Sequence, residues 1–337
     1  MLGLNFLTQS SSSASPFEPD SPLQLALQVP LKYAVLLAHG FLTSLRSAPL
    51  PANPYHPVRI VCLSDTHTLT TNDVPDGDIL VHAGDLANAG SLSELQAQID
   101  WLASLPHAQK VVIAGNHDTW MDPRSRRTLA EQDRCGDLDW RHIRYLQHNA
   151  VTLSIPFKSS NDALPPRRIT IYGAPQIPAC GGPDFAFQYP RGRDAWTDTI
   201  PRDIDVLVTH TPPKYHLDLP LPSGMGCEHL LRETWRVQPR VHIFGHVHVG
   251  AGKQVAWWDD GQLAYERALA RPVDGLTRGL LSIGTWVDLG LVLFWGVTGV
   301  LWDRVWGGEG RATIMVNAGL MAGNTGRLGN KVQVVDI

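Results

Sequence analysis

Residues 242–250 read HIFGHVHVG, three histidines in seven positions with a glycine directly before the middle one. Imidazole changes charge near neutrality and binds borderline divalent metals, so its density here suggests acid–base or metal chemistry. Histidines alternating with Ile, Phe and Val would equally suit the wet end of a strand, and this stretch alone does not choose. Four other short Val/Ile-rich runs end in the same way: VRIVCLSDTH (58–67), DILVHAGD (78–85), KVVIAGNHD (110–118) and DVLVTH (205–210). Together the five supply Asp65, His67, Asp85, Asn116, His117, Asp118, His210, His246 and His248. Carboxylate, amide and imidazole donors are those preferred by divalent Mn, Fe, Zn or Co, and no thiolate stands among them. A closed structural zinc site takes four ligands, commonly with Cys, so this set is too large for one metal and suggests two.

The apolar runs are short, and most meet Gly or Pro where they end, as buried strands do when they enter loops. Between the second and third lies SLSELQAQIDWLASLP (91–106). Its Ser91 cap, Glu94 three residues on, and Leu92, Leu95, Ile99 and Leu102 on one face predict a helix. Strands alternating with helices predict an α/β domain, with the polar residues at the strand ends where such sheets bind ligands.

The ordered set resembles the calcineurin-like metallophosphoesterase family, whose pattern is DxH, GDxxxxG, GNH[DE], His, then GHxH. Here it reads DTH (65–67), GDLANAG (84–90), GNHD (115–118), TH (209–210) and GHVH (245–248). The stretch FQYPRGRDAWTDTIPRDIDVLVTHTPP (187–213) further resembles the small metallophosphoesterase-domain proteins. The resemblance implies a four-layer α/β/β/α sandwich with two mixed β-sheets. It implies two divalent metal ions, one held by Asp65, His67 and His248, the other by Asn116, His210 and His246, with Asp85 bridging. It also implies hydrolysis of small phosphomonoesters or phosphodiesters, cyclic nucleotides among them, by attack of a metal-bound hydroxide. His117 would then face the substrate as a proton donor, and Asp118 would either orient that imidazole or cap the following segment. In GHVH the two histidines are two apart on an extended segment, so both point to one side. His242 and His82 are read as structural. Arg191 and Arg193 in PRGRD are candidates for meeting a substrate phosphate. A non-catalytic protein-binding scaffold on the same fold is the alternative, but such a scaffold has no need to keep His117 and all seven ligands.

The 28 Lys and Arg against 32 Asp and Glu give a net charge of −4, which offers no basis for nucleic-acid binding. The four cysteines form no CxxC pair and are expected as free thiols in a reducing compartment, with the chain cytoplasmic. Residues 1–22, rich in Ser and Pro and lacking a basic n-region, are expected to be a disordered tail rather than a signal peptide. Residues 23–57 read as an apolar helix followed by a Pro-rich linker, and 58–337 as the phosphoesterase domain. A Trp-rich helical insertion interrupts it at about 259–312. From Gly279 to Trp302 the only formal charge is Asp288. That length qualifies for a membrane span, but a mid-bilayer Asp argues against one. The expectation is an amphipathic helical insertion that packs against 23–45 or touches a membrane peripherally through 23–45 and 279–306, with helix packing favoured over an interfacial aromatic belt as the account of the tryptophans.

Overall fold

The computed structural model describes residues 21–49, 56–156, 165–219, 221, 224–272 and 275–337. The expected tail therefore falls almost wholly outside the described residues, as does much of the Pro-rich linker.

Two sheets form the centre. In the first, β1 (Arg59–Leu63), β2 (Ile79–Ala83), β3 (Gln109–Ile113) and β4 (Arg144–Tyr145) run parallel, and β13 (Gln333–Asp336) pairs antiparallel with β1. The second has the order β11 (Gly252–Trp257), β12 (Ala312–Asn317), β10 (Val241–Phe244), β9 (Val206–Thr209), β6 (Arg167–Ala174), β5 (Asn149–Ile155). Its four central strands are parallel and both edge strands antiparallel. A short pair, β7 (Ile177–Pro178) and β8 (Gln188–Tyr189), stands apart.

Alternation along each strand builds the layers. Ile60 and Cys62 of β1, Val81 of β2 and Ile113 of β3 meet Ile171, Val208 and Ile243 from the other sheet in one buried core. The intervening Val61, Leu63, Leu80 and Val112 face outward against Leu95, Ile99 and Leu102 of α3 (Leu92–Ser104). On the far side Tyr172, Ala174 and Leu207 pack on Leu230 of α5 (Glu228–Val237). A strand buried on both faces reads as a continuous apolar run, which is why these segments looked alike in the sequence. The result is the four-layer α/β/β/α sandwich with two mixed sheets. The α3 capping box is formed: the Ser91 hydroxyl accepts the Glu94 N–H at 3.3 Å and Glu94 accepts the Ser91 N–H at 3.4 Å.

Outside the sandwich lie α1 (Pro22–Gln28), α2 (Pro30–Leu45), the short α4 (Glu131–Arg134), α6 (Asp260–Ala270), α7 (Leu276–Leu280) and α8 (Ile283–Arg304). The apolar segment read as one helix over 23–45 is two, because Pro30 has no N–H to continue α1 yet suits the first position of α2. Helix α2 packs on α6 and α8. Its His39 ring stacks on Tyr265 of α6 at 4.0 Å between centroids, and burial pushes that imidazole down to about 4, so at neutrality it packs as an uncharged ring. Arg46, at the end of α2, spans Asp259 and Asp303 at 2.5 and 2.8 Å over the Trp257 ring, tying the ends of three helices together. Asp288, the acid that weighed against a membrane span, is 0% exposed in α8 and held by Arg267 and Arg271 of the α6 region.

Candidate metal centre

All seven candidate ligands leave the C-terminal ends of parallel strands. Asp65 and His67 follow β1, Asp85 follows β2 and Asn116 follows β3 in one sheet; His210 follows β9, and His246 and His248 follow β10, in the other. The sheets are drawn together at this end. Ser64 bridges to Gly319, Leu320 N–H donates to the Ser64 carbonyl at 2.9 Å, and the His246 N–H donates to the Asp65 carboxylate at 3.0 Å. Asn317 fastens the histidine loop by donating to the carbonyls of Val247 and Leu217 at 2.8 and 2.9 Å.

Close approach dictates the glycines at two points. A Cβ on Gly245 would collide with Ser64 and the Asp65 carboxylate, and one on Gly115 with Asp85 and the His210 ring. The ligands themselves bear conformational cost. Asp65, His67, Asp85 and His246 have φ of 55, 45, 56 and 67°, the left-handed region that side chains other than glycine enter at a price. Such turns aim consecutive side chains back toward one point.

The point is well defined. His210 Nε2 lies 3.3 Å from Asp85 Oδ2 and 3.0 Å from Asn116 Oδ1, while His67 Nε2 lies 3.7 Å from the same Asp85 oxygen. His248 Nε2 is 3.2 Å from Asp65 Oδ1 and 3.4 Å from His67 Nε2. Three overlapping groups bring their ligand atoms within 4.8 Å: Asp65, His67 and His248; Asp85, His210 and His246; and His67, Asp85 and His117. Asp85 is common to two of them.

The remaining ring nitrogens are occupied in a way that fixes these directions. His210 Nδ1 faces the Ala83 carbonyl at 2.8 Å and His248 Nδ1 the Gly323 carbonyl at 2.7 Å, leaving both Nε2 atoms for the centre. Backbone carbonyls behind ligating imidazoles are the usual means of setting tautomer and orientation. The donor set therefore fits cations. Seven oxygen and nitrogen donors converge, two of them are carboxylates buried beside each other, and among the described residues no lysine or arginine is paired with either.

Protons provide the compensation when the carboxylates face only histidines. Burial pushes His210 and His248 down, but Asp85 and Asp65 beside them overcome this and raise both to about 9. Burial likewise works to raise Asp65 and Asp85, and their histidine neighbours hold both below the ordinary carboxylate range instead. His246 is pushed down to about 3 by burial, with the charge on His210 acting in the same direction, and stays neutral. Cation binding at His210 and His248 must release their protons, so metal affinity rises with pH.

His117 is half-buried at the rim of this group. Its Nδ1 faces the Asn88 carbonyl at 2.9 Å, its N–H donates to Asp85 Oδ1 at 2.7 Å, and its ring lies 4.8 Å from His67 and 4.7 Å from Phe185. Asp118 does not orient that imidazole. Its carboxylate turns away and accepts three backbone N–H groups, from Gly115 at 2.7 Å and from Asp85 and Ala87 at 3.0 Å each. Its work is to hold the GD and GNHD loops in register. Burial, with Asp85 nearby, pushes it up to about 7. Asp118→Asn would aim an NH2 at one of those donors, and we expect a loss of about 2–3 kcal/mol in unfolding free energy, read as a lowered denaturation midpoint.

The other candidates are not brought to the centre by any contact. Arg191 donates weakly to the carbonyls of Met225 and Ala179 at 3.3 and 3.4 Å, and Arg193 is exposed. His242 is buried inside β10 against the Thr209 hydroxyl at 2.8 Å. His82 lies 3.1 Å from the Thr66 hydroxyl. Asn88, Phe185 and Gly323 were not singled out from the sequence. They act through a carbonyl or a ring face, for which residue type gives no signal. All four cysteines are free.

Residues 58–250 match the sequence family described as Calcineurin-like phosphoesterase, and the chain belongs to that family. It is similar to Metallophosphoesterase domain-containing protein 1 of Homo sapiens, 36% identical over 65% of this chain and 69% of that protein. It is also similar to UPF0046 protein K07C11.7 of Caenorhabditis elegans, 34% identical over 60% of this chain and 67% of that one. A longer match, 40% identical over 79% of this chain, is to a protein of Emericella nidulans called Probable rhamnogalacturonate lyase C. This chain spans only 23% of that relative's length.

Proposed function

We propose that this protein is a dinuclear metal-dependent hydrolase of small phosphomonoesters or phosphodiesters, cyclic nucleotides being a candidate diester class. The observation that carries the reading is the placement of Asp85 between His67, which follows a strand of the first sheet, and His210, which follows a strand of the second, with the two Nε2 atoms 3.7 and 3.3 Å from the same Asp85 oxygen.

Asp65, His67 and His248 would hold one cation, Asn116, His210 and His246 the other, with Asp85 shared; manganese is a suitable ion for such donors. Bound there, two divalent cations lower the pKa of water and neutralise charge on a phosphoryl group. The chain's own residues do the rest. Asn116 adds an oxygen donor without adding charge. The Ala83 and Gly323 carbonyls keep the imidazoles turned inward. His117, fixed through Nδ1, presents Nε2 at the rim, where it can give a proton to a departing ester oxygen.

The test is turnover of p-nitrophenyl phosphate and bis(p-nitrophenyl) phosphate by the Mn²⁺-loaded chain. Chelation is expected to abolish turnover and Mn²⁺ to restore it. If elemental analysis finds no transition metal under any loading condition and neither ester is hydrolysed, the proposal fails.

A further inference from the structure

The second constellation on the molecule is a surface. Along α8, Ile283, Trp286, Val287, Gly290, Leu293, Phe294, Val297, Leu301, Trp302 and Val305 are exposed, with Ile283 at 79% and Phe294 at 61%. Their spacing traces one stripe of the helix. At about 1.5 Å per residue it runs about 33 Å. Helix α2 packs beside α8 and exposes Leu37, Phe41 and Leu45 at four-residue intervals. Leu23 and Leu27 of α1 and Leu276 and Leu280 of α7 are also exposed. A helix that packed only within a soluble fold would bury these positions, and an apolar patch of this extent marks a contact surface.

We infer that this helical face docks the protein onto the surface of an anionic lipid bilayer, lying in the plane of the interface without crossing it. Three observations select that occupant. First, the stripe carries no acid because both acids of α8 turn inward. Asp288 is 0% exposed against Arg267 and Arg271, and the Asp303 side chain is 2% exposed against Arg46. The inward face of α8 is thereby committed to the fold, which leaves a single side for lipid although the helix has the length and composition of a span.

Second, polar donors near the face close on their own chain rather than offering themselves to a polar partner. The hydroxyls of Thr43, Ser44 and Thr298 donate to the carbonyls of His39, Phe41 and Phe294 at 2.8, 2.6 and 2.8 Å. Trp286 Nε1 donates to the Leu280 carbonyl at 2.9 Å. Hydrocarbon demands such internal satisfaction and water does not.

Third, both ends of the stripe are basic. Exposed Arg278 precedes it and exposed Arg304 closes it, whereas the exposed Glu309 lies beyond the helix, after Gly307 and Gly308. In a symmetric contact between two copies, parallel or antiparallel, arginine would meet arginine at each end. Anionic headgroups complement both ends together, and exposed Trp286, Trp302 and Trp306 suit the headgroup boundary.

The test is flotation of the full chain with vesicles of phosphatidylcholine, and of phosphatidylcholine carrying phosphatidylserine, in detergent-free buffer. The parent is expected to float with the anionic vesicles. The doubly substituted Phe294→Glu, Val297→Glu chain, altered only at exposed positions, is expected to stay in the soluble fraction with its turnover of a soluble ester unchanged. Arg278→Glu with Arg304→Glu should weaken anionic-vesicle binding about tenfold or more while leaving binding to phosphatidylcholine alone little changed. The inference is overturned if the parent floats with neither vesicle, or if the glutamate variant floats as the parent does. It is likewise overturned if sedimentation shows a dimer that the glutamate variant dissolves while the parent binds no vesicle, since a second copy would then cover the face.

Discussion

Asp85→Asn is expected to lower metal-dependent turnover by about 10³-fold or more and to reduce bound metal from two ions per chain to one or none. The amide keeps the shape of the side chain and its acceptor for the His117 N–H, so the loops need not move. What it removes is charge. Two dications about 4 Å apart at an effective dielectric near 20 repel by on the order of 16 kcal/mol, and a shared carboxylate is the ligand that acts against both halves of that repulsion. Neither Asp65, which touches one histidine group, nor neutral Asn116 can substitute. Elemental analysis and turnover of bis(p-nitrophenyl) phosphate, measured on the same preparation, decide the matter. Two retained metals with turnover inside tenfold of the parent would show that Asp85 is a bystander.

His117→Ala is expected to behave differently: metal content unchanged, turnover down by about 10²–10⁴-fold. Its ring is directed at Nδ1 by the Asn88 carbonyl rather than by a carboxylate, the same kind of fastening that holds His210 and His248, and it sits half-buried at the rim. A group that protonates a departing oxygen matters most when that oxygen is strongly basic. The deficit should therefore be larger for an alkyl phosphoester than for a p-nitrophenyl one. Equal deficits on the two substrates would remove the proton-donor role, and a loss of metal would make His117 a ligand in the group it forms with His67 and Asp85.

The centre was legible in the sequence because its ligands end strands that are buried on both faces. Such strands are mostly apolar runs, broken here by the buried His82 of β2 and His242 of β10, and a cluster of polar residues at the exit stands out. The Asp118 assignment failed for a physical reason. Adjacency in GNHD suggested that acid and imidazole act together, yet a turn of backbone separates neighbours, and a buried carboxylate is drawn to whichever N–H groups lack partners. Here those belonged to Gly115, Asp85 and Ala87. The carbonyls of Ala83, Asn88 and Gly323 were invisible because every residue has one. Pairing of Asp288 with two arginines on another helix was beyond reach of spacing, since it depends on how α6 and α8 cross. Without it, the acid looked like an obstacle to lipid rather than a fastening on the opposite side.

The positive φ angles of Asp65, His67, Asp85 and His246 set natural selection and heat at odds. Each of these hinges would relax if glycine replaced the side chain, and two of the four would also lose a buried negative charge. A laboratory screen rewarding only survival at high temperature should thus drift toward eroding these positions, yielding sturdier but chemically silent descendants. Persistence of all four in such a lineage would mean that the bound ions themselves, and not the polypeptide, hold the hinges shut.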